Sequence, residues 1–152
     1  MSEYSEAQTE FSDPQVLIEA LAAVGYTTVE NHIGKPQPLV GFQGDFRTQD
    51  GQGHTTNPAL ALKADIIVRR KYIPGLPNDL GFIKGADGKF KAVISDYDSS
   101  RHNAAWLAKL KGEYAEINVV KTMKRMGVKI TGRTTRKNAQ GQEEVVYNYA
   151  KA

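Results

Sequence analysis

Apolar positions recur at helical spacing in two stretches of the chain and at every second position in several shorter ones. Val16, Leu17, Ala20, Leu21 and Val24 share one face of a helix. Ser12-Asp13-Pro14 marks its start, because a side-chain oxygen can accept from an orphan backbone N–H and a proline in the first turn forfeits no hydrogen bond. Gly25 closes it, being free to take the left-handed conformation. The second helix runs from about Arg101 to Met126, with Asp98, Ser99 or Ser100 as cap, a weak point at Gly112, and Gly127 at its end. Leu107, Leu110, Tyr114, Ile117 and Val120 form its inward stripe, with Lys109, Lys111, Lys121, Lys124 and Arg125 outside.

The remaining signals are those of strands. Tyr4 to Phe11 alternates weakly and suits a sheet edge, and Tyr26 to Asn31 follows the first helix. Ala64 to Tyr72 is the clearest strand, since Ile66, Ile67 and Val68 are β-branched. Leu80 to Lys84 and Lys89 to Ser95 flank Gly85-Ala86-Asp87-Gly88, a hairpin signal. Val128 to Arg136 and Glu143 to Tyr149 flank Asn138-Ala139-Gln140-Gly141 and form a second hairpin. Between Asn31 and Ala64, the stretch His32 to Lys63 is rich in Gly, Pro, Gln and Thr, with only Leu39 to Phe46 strand-like; a loop of that length is functional or disordered. The order predicts one α+β domain over 1–152: an antiparallel sheet of five to seven strands, two helices packed on one face, and a C-terminal β-hairpin.

Composition narrows the chemistry. The chain has 152 residues and no cysteine, which excludes disulfides, thiolate catalysis and thiolate metal sites and points to a reducing compartment. No apolar run reaches membrane-span length and the first ten residues are polar, so a cytoplasmic protein without membrane contact is expected. The net charge is +3, but it is unevenly spread. Residues 1 to 34 hold six acids and no Lys or Arg, a charge of −6, which leaves the rest at +9. Lys121, Lys124, Arg125, Lys129, Arg133, Arg136 and Lys137 form an acid-free basic run. Such asymmetry is the footprint of a polyanion partner, the plainer alternative being a solvated surface of mixed sign.

Catalytic and metal patterns are lacking. His32, His54 and His102 lie in unrelated segments without a second ligand at i+3 or i+4, so no metal site is expected. Asp96-Tyr97-Asp98 places two carboxylates close together, but a strand terminator and a helix cap account for them. Gly51-Gln52-Gly53-His54 has no following Lys-Ser/Thr and fits no phosphate loop. No serine stands in a nucleophile elbow. Neither a catalytic residue nor a cofactor is expected, and the protein reads as non-enzymatic.

The helix ending Leu21-Ala22-Ala23-Val24-Gly25-Tyr26, the strand Ala64 to Arg69, Asp79-Leu80-Gly81-Phe82 with Asp87-Gly88-Lys89-Phe90, and Tyr114-Ala115 leading to Gly127-Val128 together carry a resemblance. The chain resembles the small conserved proteins of cyanobacteria, plastids and tailed phages grouped as a domain of unknown function. Lys121, Lys124 and Arg125 and the long loop depart from that pattern. The resemblance transfers no activity. As a class, a small basic phage protein of this kind is similar to the single-stranded DNA-binding cofactors that bring a phage RNA polymerase to melted promoters.

Strand alternation puts Lys129, Thr131 and Arg133 on one face of the terminal hairpin, with Val128 and Ile130 on the other. Tyr147 and Tyr149 can lie beside Lys129 and Arg133, joining cations for phosphates to rings for bases. Ordinary strand filler is the alternative for the tyrosines, and blunting of an edge strand the alternative for Arg69, Arg70 and Lys71. Trp106 suits a helix–sheet core. The expected function is therefore binding of single-stranded DNA, RNA not being excluded, in a viral transcription or replication cofactor that works with an RNA polymerase or other nucleic-acid enzyme. The alternative is a protein-interaction or assembly module, self-association included, or an inhibitor of a host nucleic-acid enzyme through its charged faces.

Overall fold

The computed structural model describes residues 3–151. It falls into two compact units, Met1–Tyr114 and Ala115–Ala152. The first unit contains β1 (Tyr4–Gln8), α1 (Pro14–Ala23), β2 (Glu30–Asn31), β3 (Gln37–Pro38), β4 (Phe46–Arg47), β5 (His54–Thr55), β6 (Lys63–Ala64), β7 (Ile66–Val68), β8 (Leu80–Lys84) and β9 (Phe90–Ser95). The helix α2 (Ala104–Arg125) begins in this unit and ends in the second, followed by β10 (Val128–Lys137) and β11 (Glu143–Lys151). The protein is α+β, with two helices, a five-stranded antiparallel sheet and a C-terminal hairpin.

The sheet runs in the order β1-β9-β8-β7-β2. Its register pairs Ile66 with Phe82 and Phe82 with Ala92, so Ile66, Val68, Leu80, Phe82, Phe90 and Ala92 share one face. Phe11 reaches that face, its ring 6.4 Å from Phe82 and 4.7 Å from Tyr114. Val16, Leu17, Ala20 and Leu21 of α1 and Leu107, Leu110 and Tyr114 of α2 are buried, as helical spacing predicts. The Tyr114 hydroxyl accepts from the amides of Ser12 and Asp13 at 3.1 and 3.0 Å, tying α2 to the start of α1. Asp13 caps α1 by accepting from Gln15 and Val16, and Gly25 follows the helix at φ 106°.

The other face of the sheet is covered as well. Tyr4, Ile67 and Val93 pack there with Leu39 and Ala64. The chain between β2 and β7, read from sequence as a long loop, is ordered: two small two-stranded sheets, β3 with β6 and β4 with β5, fold it back over the main sheet. The approach is close, for a Cβ on Gly81 would stand 2.9 Å from both Leu39 and Ala64.

Several boundaries differ from the sequence expectation. The strand Tyr26 to Asn31 shrinks to Glu30–Asn31. The strand Ala64 to Tyr72 is cut at Asp65, whose side chain accepts from the Lys84 amide at 2.7 Å. Beyond Val68 it turns into a 3-10 helix at Arg70–Tyr72, because the Asp79 carboxylate captures the Arg70 amide at 2.7 Å. Finally, α2 is capped by Asn103, which accepts from the Trp106 amide at 2.9 Å, while Asp96–Asp98 forms a separate 3-10 turn.

Candidate functional site

The second unit is small, and none of its described residues is fully buried. It holds eight Lys or Arg against Glu116, Glu143 and Glu144, a surplus of five positive charges, whereas the first unit carries twelve against fourteen acids. A groove of about 590 Å³ opens between the last turns of α2 and the hairpin. Val120, Val128, Ile130 and Tyr147 supply its apolar wall, and Lys124, Lys129 and Arg133 its cations.

The hairpin is not a plain two-residue alternation. Ile130 pairs with Tyr149 and Gly132 with Asn148, so Thr131 is the extra residue of a β-bulge. Directly opposed residues share a face, and Arg133 opposes Tyr147 while Lys129 opposes Ala150. The expectation that Lys129, Thr131 and Arg133 share a face is therefore overturned: the bulge moves Arg133 to the face of Ile130, Tyr147 and Tyr149. Tyr147 does lie beside Arg133, as expected, and Tyr149 is 66% exposed.

Arg133 makes a bidentate pair with Glu116 of α2, Nε to Oε1 and Nη2 to Oε2, the latter at 3.0 Å. The Arg133 hydrogen bonds hold the Glu116 carboxyl below its usual range and raise the guanidinium in turn. The Tyr147 hydroxyl is closed off from solvent beside this pair and makes no hydrogen bond of normal geometry. Burial first, and then the Glu116 carboxylate, push its titration upward. Arg136 pairs with Glu144 at 3.1 Å, and Lys137 stands opposite Glu143. Arg125 donates to the Lys121 carbonyl at 3.4 Å within its own helix. Lys124 and Lys129 are exposed and have no acidic partner among the described residues.

Arg69, Arg70 and Lys71 belong to the first unit, where they line a cleft of about 480 Å³ with Gln37, Pro38, Val40, Phe46, Pro58, Glu30 and Asp79. Arg69 is held there, donating from Nε to Glu30 and from Nη1 to Asp79 and the Pro38 carbonyl, each at 2.8 Å. Burial alone raises Glu30, but hydrogen bonds from His32 and Arg69 outweigh it and leave the carboxyl low. Asp79, wholly buried, also accepts from the Val40 amide at 2.8 Å. Arg70 donates to the Pro77 and Phe42 carbonyls at 2.6 and 3.3 Å, and Lys71 lies 5.0 Å from the Tyr72 ring centre.

The histidines are each engaged locally, His32 with Glu30, His54 with Asp45 and His102 with Tyr26, at 2.7, 2.8 and 2.7 Å. Among the described residues no three His, Asp or Glu side chains converge as a metal site would require. No described helix is long and apolar enough to cross a membrane. Sequence reasoning missed Phe42 and Tyr97, which stack in the open with ring centres 5.9 Å apart. They are 55 positions apart in sequence, and no local pattern joins them.

Fold and site thus define a small α+β protein with a near-neutral sheet unit and a strongly basic helix–hairpin unit. The chain belongs to the family described as "Protein of unknown function (DUF1257)", whose model matches residues 20–146. Neither the curated proteins nor the solved structures contain a match to it.

Proposed function

We propose that the protein is a non-enzymatic binder of single-stranded nucleic acid and that its second unit takes the strand. The observation that carries this reading is the second unit's surplus of five positive charges, together with its apolar groove lined by Lys124, Lys129 and Arg133 and the exposed Tyr149 opposite Ile130. Cations attract a phosphate backbone regardless of sequence, and a strand without a partner offers bases that can be laid on apolar and aromatic surfaces. A helix poised to read a major groove would instead present Arg, Asn or Gln in a helix-turn-helix setting, which α2 followed directly by β10 does not provide. Strands opened during transcription or replication are the setting for such a protein, in company with an RNA polymerase or another nucleic-acid enzyme.

Arg133 and Arg136 are already matched to Glu116 and Glu144, so the phosphate contacts fall to Lys124, Arg125, Lys129 and Lys137. With about four contacts at roughly −0.7 each, log affinity for an oligonucleotide falls with log salt at a slope near −2.8. Lys129→Ala makes the slope shallower by close to one contact, while Tyr149→Ala lowers affinity and leaves the slope unchanged. Binding that ignores salt, or that neither variant disturbs, removes the second unit as the site.

A further inference from the structure

In the first unit, two large aromatic side chains stand in water without need of a core. Phe42 is 41% exposed and Tyr97 67%, and their rings stack with planes 22° apart. Each ring covers part of the other while much of the pair stays exposed. Their positions are fixed from below by buried polar groups. Asn78, 1% exposed, accepts from the Phe42 amide at 3.0 Å and donates to Asp98, the neighbour of Tyr97, at 3.4 Å. The backbone at Phe42 is a tight turn, with the Gly44 amide on the Gly41 carbonyl at 2.9 Å and Gly44 at φ 80°.

One cation adjoins this pair. The Arg70 guanidinium donates to the Phe42 carbonyl, which places it within one residue's reach of the stack, and it also lines the 480 Å³ cleft with Lys71. The two acids of that cleft are used up: Glu30 by Arg69 and His32, and Asp79 by Arg69 and two backbone amides. Arg70 and Lys71 pair with no carboxylate among the described residues, so they stand as the uncompensated charge. An exposed aromatic pair, with the Arg70 guanidinium at its edge and Lys71 next along the chain, neither paired with a carboxylate among the described residues, complements a planar ring that carries a phosphate.

We infer that the first unit holds a nucleotide site, the base stacking on the Phe42–Tyr97 pair and the phosphate lying against Arg70 and Lys71. The inference does not depend on strand binding by the second unit. The nucleotide can be free in solution or one residue of a strand, and binding measurements on the full chain distinguish the two sources. AMP, adenosine, inorganic phosphate and a short oligoadenylate are the probes. AMP is expected to bind more tightly than adenosine or phosphate. Tyr97→Ala and Lys71→Ala each weaken it about tenfold, Tyr97→Phe restores it, and Lys111→Ala on the outer face of α2 leaves it alone. Lys71 is exposed and lies over the neighbouring Tyr72 ring, so its replacement does not threaten the fold. If AMP fails to bind but Tyr97→Ala and Lys71→Ala weaken the oligoadenylate, the site takes a nucleotide within a strand and the inference holds. It is overturned if neither probe responds to these two variants, or if AMP binding is lost in Lys129→Ala alone. That last result would place the base in the second unit and leave the strand-binding proposal intact.

Discussion

His102 is 4% exposed, shares a 2.7 Å hydrogen bond with Tyr26 and packs 4.6 Å, centre to centre, from the Trp106 ring. Burial, helped by the positive charge of Arg101, lowers its titration to about 4 from an ordinary 6.5. The unfolded chain therefore binds a proton at this residue between pH 6.5 and 4 while the folded chain does not. Folding stability is full above pH 6.5 and falls as the pH drops through that window, by about 3 kcal/mol in all. Burial raises the neighbouring Asp98 carboxyl, which acts in the opposite direction, since its protonation favours the fold. Thermal unfolding of the wild type and of His102→Gln across this range isolates the histidine. The variant should lose stability less steeply on acidification, and parallel curves would show that His102 is not held neutral.

At the scale of elements, the bulge at Thr131 decides what the hairpin presents. It brings Arg133 round to Glu116, and that pair joins β10 to the C-terminal half of α2 within the second unit. Arg133→Ala should let the Glu116 carboxyl titrate higher, as carboxyl-resolved NMR can follow. Deleting Thr131 removes the bulge, yet strict alternation through Ile130, Gly132 and Arg133 keeps Arg133 on the face of Tyr147, so the Glu116 carboxyl should stay low. A Glu116 titration unmoved by Arg133→Ala would mean that the pair does not control it. The helices, their glycine ends and both hairpins were legible in the sequence because caps, turns and periodicity are local signals, seen in Asp13-Pro14, Gly25 and Asp87-Gly88. The bulge was not, although a glycine inside a strand pattern, Gly132, was the available clue. Nor was the role of Asp79, which sets the conformation of Arg69 and Arg70 from ten and nine positions away. The basic run was visible by counting, but its pairing with Glu116 and Glu144 depends on which residues meet across elements. Stacking of Phe42 on Tyr97 is the extreme case, a contact created only by the tertiary fold.

For the molecule as a whole, burial and charge divide along the same line. The sheet unit encloses the core residues, Phe11, Leu17, Ile67, Phe82 and Phe90 among them. The helix–hairpin unit has the charge surplus and no fully buried described residue. A two-stranded hairpin without a buried face is marginal in water, because little apolar area is withdrawn to offset the entropy of ordering the chain. Local opening should therefore be far easier in β10 and β11 than in β8 and β9. Hydrogen exchange of the free protein should show the amides of the terminal hairpin exchanging well ahead of those from Leu80 to Ser95. If a strand of nucleic acid settles against Val128, Ile130 and Tyr147, it withdraws that apolar wall from water and favours the closed hairpin by mass action. Adding a single-stranded oligonucleotide should then slow exchange in β10 and β11 and leave β8 and β9 as they were, with protection fading as salt is raised. Protection of the hairpin equal to that of the central strands before any ligand is added would contradict the link between burial and local stability on which this expectation rests.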